Sequence, residues 1–479
     1  MAARLTAFLV AIIVGISVVA GLIVGAQREA DPAVDLLVYN GRVYTGDPNA
    51  PIAEAVAIRG NRILKIGSNR EIKRLRRNAA TVIDAHGGSI LPGFADTYVT
   101  VPGQADAIAG IHRLGLTTVG AVVDDLKALD TLSALATTAD RPIRIAAALR
   151  VSLPLAAATR QEIDARRAQN ATTLVRLDAV AVEVTLPGPK PARATPGRRP
   201  VTPPLLPNDQ QDALLDLDRA GWPLVLHVDD ERELSVALDV VARLIETNTA
   251  VATPRRHRVV LAHPMPLDTA RLATLGLTVA MPLPATWTGV AVEPAPAAPA
   301  SADPAVATTL TTDPANPALG VAPASSRAPI ADPAILPFSF PLPAGVRLVM
   351  GSEIVADPRL GLQALVGGAL APAATAAATG TPSAEPSSEA AKPDAETTPV
   401  DRGLVIEALA TLTSAAAEAL GTRAQSGTLE PGRLADLVVL SADLFELPAA
   451  HLLDAVVIAT VVDGKVVYDR DTDTPPPTP

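Results

Sequence analysis

The chain opens on a run without charge, from Ala7 to Ala26, built mainly of Ile, Val, Leu, Ala and Gly. About 20 such residues at about 1.5 Å rise span a bilayer core of about 30 Å, so the pattern predicts one N-terminal transmembrane helix within residues 1–32. Val24-Gly25-Ala26 also fits a small-residue cleavage site, which leaves a removable signal segment as the alternative. Arg4 precedes the run, and Arg28, Glu29 and Asp31 follow it with no net positive charge. Positive-inside bias then places the bulk of the chain outside the cytoplasm, single-pass in the cell membrane or secreted if the segment is cleaved.

Beyond the apolar run the period changes to two. Leu36 to Tyr44 with Asn40-Gly41 inside, Ala55 to Gly67 with Gly60-Asn61, and Thr81 to Ile90 read as hairpins of a small antiparallel unit over residues 33–92. A similar unit closes the chain over 422–470, with Ala435 to Leu440, Ala455 to Val462 and Lys465 to Tyr468 around the turn Asp463-Gly464. Two β pieces at opposite ends make one sandwich most simply.

Between them, short apolar strands alternate with amphipathic helical stretches, the signature of βα units and a parallel sheet. The expected strands are Phe94 to Thr100, Leu116 to Val123, Ile143 to Val151, Ala179 to Leu186, Leu224 to Val228, Val259 to His263, Leu277 to Met281 and Val346 to Glu353. Eight βα units close a TIM barrel. Two stretches, 290–336 and 371–398, are dominated by Ala, Pro, Thr, Ser and acids and read as disordered insertions, as does the tail 471–479. Without the insertions, about 254 residues remain between Gly93 and Gly421, near the length of about 250 typical of such a barrel. The fold class predicted is therefore α/β: a TIM (β/α)8 barrel spanning 93–421, with a β-sandwich formed by both chain ends, preceded by the transmembrane helix.

Charge and composition narrow the chemistry. With 40 basic against 50 acidic side chains the net charge is −10, and the only basic run is Lys73 to Arg77, which argues against nucleic acid as a partner. The absence of cysteine excludes disulfides, thiolate metal sites and cysteine nucleophiles, so any metal must be held by His, Asp or Glu. No G-x-S-x-G, Walker A or H-E-x-x-H motif is present. What remains is position: active sites of these barrels sit at the C-terminal ends of strands. The polar residues there are Asp96, Tyr98 and Thr100 on strand 1, Glu183 on strand 4, His227 on strand 5, His263 on strand 6 and Glu353 on strand 8.

Two segments carry a family resemblance: Ile83-Asp84-Ala85 through Leu91-Pro92-Gly93-Phe94-Ala95-Asp96, and Gly427-Thr428-Leu429-Glu430-Pro431-Gly432-Arg433-Leu434-Ala435-Asp436-Leu437-Val438-Val439-Leu440. Leu114-Gly115-Leu116-Thr117-Thr118-Val119 and Thr413 to Leu420 add to it. In these the chain resembles the amidohydrolase superfamily, especially its family-3 branch of metal-dependent hydrolases. The resemblance implies a metal centre made by a His-x-His on strand 1, a carbamylated Lys or a Glu on strand 4, one His each on strands 5 and 6, and an Asp on strand 8.

Residue by residue, the His-x-His positions read Tyr98 and Thr100, neither a good zinc ligand. The strand-4 position aligns with Glu183, and His227 and His263 match the two later histidines. One carboxylate and two imidazoles are the three protein ligands of a catalytic zinc site with an open position. Glu353 replaces the family's Asp, one methylene longer, and stands as general base and then acid. Asp96 reads as structural, Asp124-Asp125 and Asp229-Asp230 as helix N-terminal charges, His86 and His257 as solvated, His112 as a helix-surface residue and His451 as a loop residue.

Two functions follow. One is an extracytoplasmic, membrane-anchored hydrolase of small amide-type C–N bonds, non-peptide, using one divalent ion, zinc by preference, on Glu183, His227 and His263. The other is a catalytically inactive barrel kept as a binding or scaffold module. Fold alone does not choose between them, and the oligomeric state is not legible.

Overall fold

The computed structural model describes residues 33–46, 53–101, 105–137, 141–169, 174–186, 206–250, 254–263, 265–282, 340, 342–370 and 400–473. The N-terminal apolar run, both Ala/Pro-rich insertions and the tail beyond Asp473 lie outside them. No helix among the described residues is long and apolar enough to cross a membrane.

Six N-terminal strands come first: β1 (Val34–Tyr39), β2 (Arg42–Val43), β3 (Ala55–Arg59), β4 (Arg62–Gly67), β5 (Ala79–Asp84) and β6 (Ser89–Pro92). The barrel strands are β7 (Phe94–Thr100), β8 (Leu116–Val123), β9 (Arg144–Arg150), β10 (Val175–Glu183), β11 (Leu224–Val228), β12 (Arg258–Leu261), β13 (Thr278–Met281), β14 (Arg347–Met350) and β15 (Glu353–Ile354). Three more close the chain: β16 (Leu437–Leu440), β17 (Val457–Val462) and β18 (Lys465–Asp469).

All eight expected barrel strands form, parallel and in chain order. After Gly351-Ser352 the eighth strand resumes as β15 and returns to β7, with Glu353 opposite Val99 and Ile354 opposite Thr100. The result is a near-closed eight-strand parallel barrel. Closure is tight at one point: a Cβ on Gly351 would come within 2.9 Å of the Tyr98 Cβ, so only glycine lets the eighth strand pass the first there.

Alternation along the strands sorts the apolar residues into two layers. Val119, Ile145, Val180, Leu226, Val259 and Val279 belong to the large outer cluster with the helices, while Ala95, Tyr98, Ala146, Ala148, Ala179, Ala181, Val225, Val260 and Ala280 form an inner cluster. Barrel interiors are usually filled by bulky branched side chains. Here six of those inner residues are alanine, and the volume goes to Tyr98 and to buried Arg258, which shares a face with Val260. The helix Ser414–Ala419 seals the barrel floor through Ala416 and Ala419.

One correction concerns β10, which begins at Val175, four residues earlier than its apolar pattern suggests. Asp178 breaks the pattern at a bulge between Leu177 and Ala179, and the guanidinium of Arg256 donates to both its oxygens at 2.8 and 3.1 Å.

The chain ends build two facing sheets. One has the order β4-β3-β1-β5, the other β18-β17-β16-β6-β2, and only the second mixes both ends. Leu36, Val38, Ile58 and Ile63 pack against Ile90, Leu437, Val439 and Val461 between them. Gly60-Asn61 and Asp463-Gly464 turn hairpins as expected. The runs Leu36 to Tyr44 and Thr81 to Ile90 do not. Each crosses from one sheet to the other, the first at Asn40 (φ 57°) and the second at His86 and Gly87 (φ 48° and 87°), so that β1–β5 and β2–β6 pair in parallel. A turn dipeptide read locally cannot distinguish folding back from crossing over; here the crossing buries both halves of each run in one sandwich core.

A buried ion pair joins sandwich to barrel. Arg144, at the start of β9, donates from Nε and Nη2 to the carboxylate of Asp436 and from Nη2 to Asp463 Oδ1 at 2.8 Å. The backbone N–H of Asp463 donates to Asp436 Oδ1 at 2.8 Å.

Candidate functional site at the barrel mouth

The C-terminal ends of β8 to β11 bring Asp124, Arg150, Glu183 and His227 to one rim. Glu183 and His227 are register partners on neighbouring strands, and the N–H of Val184 donates to the carbonyl of His227 at 3.0 Å. Ala181 and Val225, two residues earlier, face the interior, so Glu183 and His227 share that face.

Each of these side chains already has a partner from the protein. The guanidinium of Arg150 donates from Nη1 to Glu183 Oε1 at 2.5 Å, and its Nε lies 3.2 Å from Asp124 Oδ1. The imidazole of His227 stacks on the phenol of Tyr98, with centroids 5.6 Å apart and planes 20° from parallel. Its Nδ1 lies 3.8 Å from Asp229 Oδ1. Tyr98 itself is buried.

Two predicted residues remain. His263 is exposed, two residues past the end of β12. Glu353 stands in β15 with its backbone beside Val99 of β7. Among the described residues no three His, Asp or Glu side chains gather as a metal-holding group. The donors present do not fit the metal that the family implies: a phenol and a hydroxyl stand at the first two ligand positions, and the strand-4 carboxylate is neutralised by a guanidinium.

Asp96 has the structural role expected of it. Its carboxylate is buried beneath the mouth and accepts from the backbone N–H of Ser352 at 3.1 and 3.3 Å, from the Ser352 hydroxyl, and from the N–H of Tyr98 at 3.0 Å. Burial pushes its pKa up to about 6 against the pull of these hydrogen bonds. Asp125 and Asp230 cap the helices Leu126–Ala136 and Glu231–Thr247, as their positions suggested.

Two histidines differ from their sequence reading. His257 is buried, with Nδ1 accepting from the N–H of Leu224 at 3.0 Å and Nε2 facing Asp218 Oδ1 at 3.0 Å. His112 is buried too, with Nε2 at 3.1 Å from the carbonyl of Pro142. Both sit beside polar residues in the sequence, and the buried acceptors that hold them come from other elements.

The residue that sequence reasoning missed at the mouth is Arg150. The signal was present, since it is the one charge near the C-terminal end of the third apolar run. Beside it a cavity of about 570 Å³ opens between the ends of β8 and β9 and the helix Ala157–Ala168, lined by Asp124, Lys127, Arg150, Ser152, Thr159 and Glu162 among others.

Comparison with known proteins bears on the whole fold and on its last quarter. The model of a family described as the amidohydrolase family matches residues 356–468. The chain is similar to Protein LONG AFTER FAR-RED 3 of Arabidopsis thaliana, 38% identical over 65 residues, which make 14% of this chain and 11% of that protein. It is also similar to a 5-methylthioadenosine/S-adenosylhomocysteine deaminase of Symbiobacterium thermophilum, 39% identical over 72 residues, 13% of this chain and 16% of that one. The matches thus span less than a fifth of the length of these relatives. Among solved structures, an adenosine deaminase from Xanthomonas campestris with bound zinc superposes with a TM-score of 0.53 at 14% identity, over 90% of this chain and 92% of that one. An N-isopropylammelide isopropylaminohydrolase from Burkholderia multivorans gives 0.51 at 16% identity, over 90% and 97%. At such identities the superpositions establish the fold.

Proposed function

We propose that this chain, which belongs to the amidohydrolase superfamily, is a metal-free member of it: a barrel kept as a binding or scaffold module, held at the outer face of the cell membrane by its N-terminal segment. The observation that carries this reading is the burial of Tyr98 in the barrel interior, stacked on His227, where the resemblance calls for the first metal-binding imidazole. A neutral phenol is a poor ligand for a divalent ion, and filling the barrel axis with it stabilises the fold in the place of a metal. Arg150 acts in the same direction, since a metal on Glu183 would have to displace a guanidinium already paired with it. What lies beside Arg150 is a cavity of mixed lining, with Asp124, Lys127, Arg150 and Glu162 set among Leu126, Leu149, Leu155 and Ile163, suited to a small molecule that has both a polar and an apolar part.

A second reading, the C–N hydrolase with one divalent ion on Glu183, His227 and His263 and Glu353 as base, is favoured by one observation. Glu183 and His227 are paired in register on adjacent strands and share the inner face. Elemental analysis of the full chain, purified from the membrane and again after incubation with zinc, separates the two. Metal well below one ion per chain in both preparations is the expected result. About one ion per chain, lost in both His227→Ala and His263→Ala, would overturn the metal-free reading and justify screening small amides.

A further inference from the structure

At the opposite end of the barrel from the mouth, a second cavity of about 640 Å³ lies between the helices Glu231–Thr247 and Thr269–Leu275 and the starting ends of β12 and β14. Its walls include Val241, Ile245, Leu275 and Leu277, and its charged lining consists of Arg255 and Arg347. Among the described residues no acidic side chain lines it; Asp218 and Glu418 stand behind the two guanidinium groups.

Both guanidinium groups are anchored from behind. Arg255 donates from Nε and Nη2 to the two oxygens of buried Asp218 at 2.9 and 3.1 Å, and from Nη2 to the carbonyls of Leu244 and Asn248. Those bonds leave Nη1. Arg347 donates from Nη1 to Glu418 and from Nη2 to the carbonyl of Gly276, and among the described residues nothing accepts from its Nε. His257 Nε2 faces Asp218 Oδ1, the oxygen that also accepts from Arg255 Nε, and its Nδ1 accepts from the N–H of Leu224. Guanidinium groups fixed in this way, with donors to spare beside an apolar wall, are preorganised for an anion. The volume falls within the range of about 300–1,000 Å³ usual for small-ligand sites.

We infer that this cavity binds a small organic carboxylate with an aliphatic body, its charge on Arg255 and Arg347 and its chain against Val241, Ile245, Leu275 and Leu277. The site is separate from the mouth and independent of whether the mouth holds a metal.

The test titrates hexanoate into the full-length protein by calorimetry, with hexan-1-ol in parallel as the uncharged match. Hexanoate is expected to bind at one site at least about tenfold more tightly than the alcohol, because charge-assisted pairing is absent from the latter. Arg347→Gln should weaken hexanoate about tenfold and leave the alcohol unchanged. Thr274→Phe, on the exposed lip of the cavity, fills it without touching any bond of Arg255 or Arg347, and should abolish hexanoate binding in a protein that still melts like the parent. Equal binding of acid and alcohol, no binding of hexanoate, or hexanoate binding unaffected by Thr274→Phe would each overturn the assignment.

Discussion

The carboxylate of Asp96 on the first barrel strand accepts both the backbone N–H and the hydroxyl of Ser352, 256 residues further on, at the break in the eighth. With the hydroxyl of Thr97 donating to the carbonyl of Met350 at 2.6 Å, this clasp joins the two ends of the sheet where β14 stops and β15 begins. It is fully buried, which gives it a pH signature. Burial holds the Asp96 carboxyl at about 6, above the ordinary value of 3.8, so the folded state binds this proton more tightly than the unfolded chain. Its contribution to stability is therefore full below about pH 4 and is lost as the pH rises through about 6, an effect of about 3 kcal/mol. Asp96→Asn keeps an acceptor for Ser352 and does not titrate. The difference in melting temperature, variant minus parent, should rise between pH 4 and pH 6; a flat difference would show that the buried clasp does not carry the proton.

His112 gives the opposite slope. Desolvation lowers its pKa to about 4, with the nearby charge of Arg141 adding to the effect and the carbonyl of Pro142 opposing it. The buried ring is neutral in the folded state, so its contribution is present above about pH 6.5 and lost as the pH falls through about 4, again about 3 kcal/mol. His112→Gln retains a donor for Pro142. The difference in melting temperature, variant minus parent, should rise as the pH falls from about 6.5 to about 4. The two groups work against each other between pH 4 and pH 6, so the parent's own profile is expected to be shallow there, and the variants resolve what it hides.

Removing Asp436 should be among the most damaging single changes. Arg144 is 2% exposed and Asp436 4%, and loss of the carboxylate leaves a buried guanidinium with only the partly exposed Asp463 beside it. Breaking a buried pair from one side costs about 3–5 kcal/mol. Asp463→Ala, which leaves the main pair intact, should cost no more than about 1–2 kcal/mol. Denaturation of both variants checks this ordering; equal costs would mean that the junction between sandwich and barrel does not depend on Asp436.

The barrel was legible in the sequence because its signals are repeated and local. Eight apolar runs each carry their own evidence, and an error in one, such as the start of β10, leaves the count intact. Asp436 was visible within a family-like segment, but its partner Arg144 lies 292 residues away and no spacing links them. The same limit explains the histidines. His112 and His257 look solvated beside arginines, and only the fold brings Pro142 and Asp218 to them. At the mouth, Tyr98 and Thr100 could be read directly at the positions where the resemblance calls for imidazoles. Their surroundings could not: the stack of Tyr98 on His227 and the pairing of Glu183 with Arg150 are contacts between strands.

Those contacts make the metal-free reading testable by design. Tyr98 and Thr100 stand two residues apart on β7 and so share a face, the arrangement that aims two imidazoles at one ion. Tyr98→His with Thr100→His should bring zinc to about one ion per chain, at a stability cost of about 2–4 kcal/mol for the interior volume that Tyr98 now fills. Adding Arg150→Gln, which frees Glu183 from its half-exposed ion pair, should tighten zinc further and cost less than about 1 kcal/mol on its own. Arg150→Gln alone should bind no metal, because the first ligand positions still hold a phenol and a hydroxyl. A triple variant as free of zinc as its parent would show that Glu183 and His227, although paired in register, cannot complete a coordination sphere on this barrel, and that restoring strand 1 is not enough.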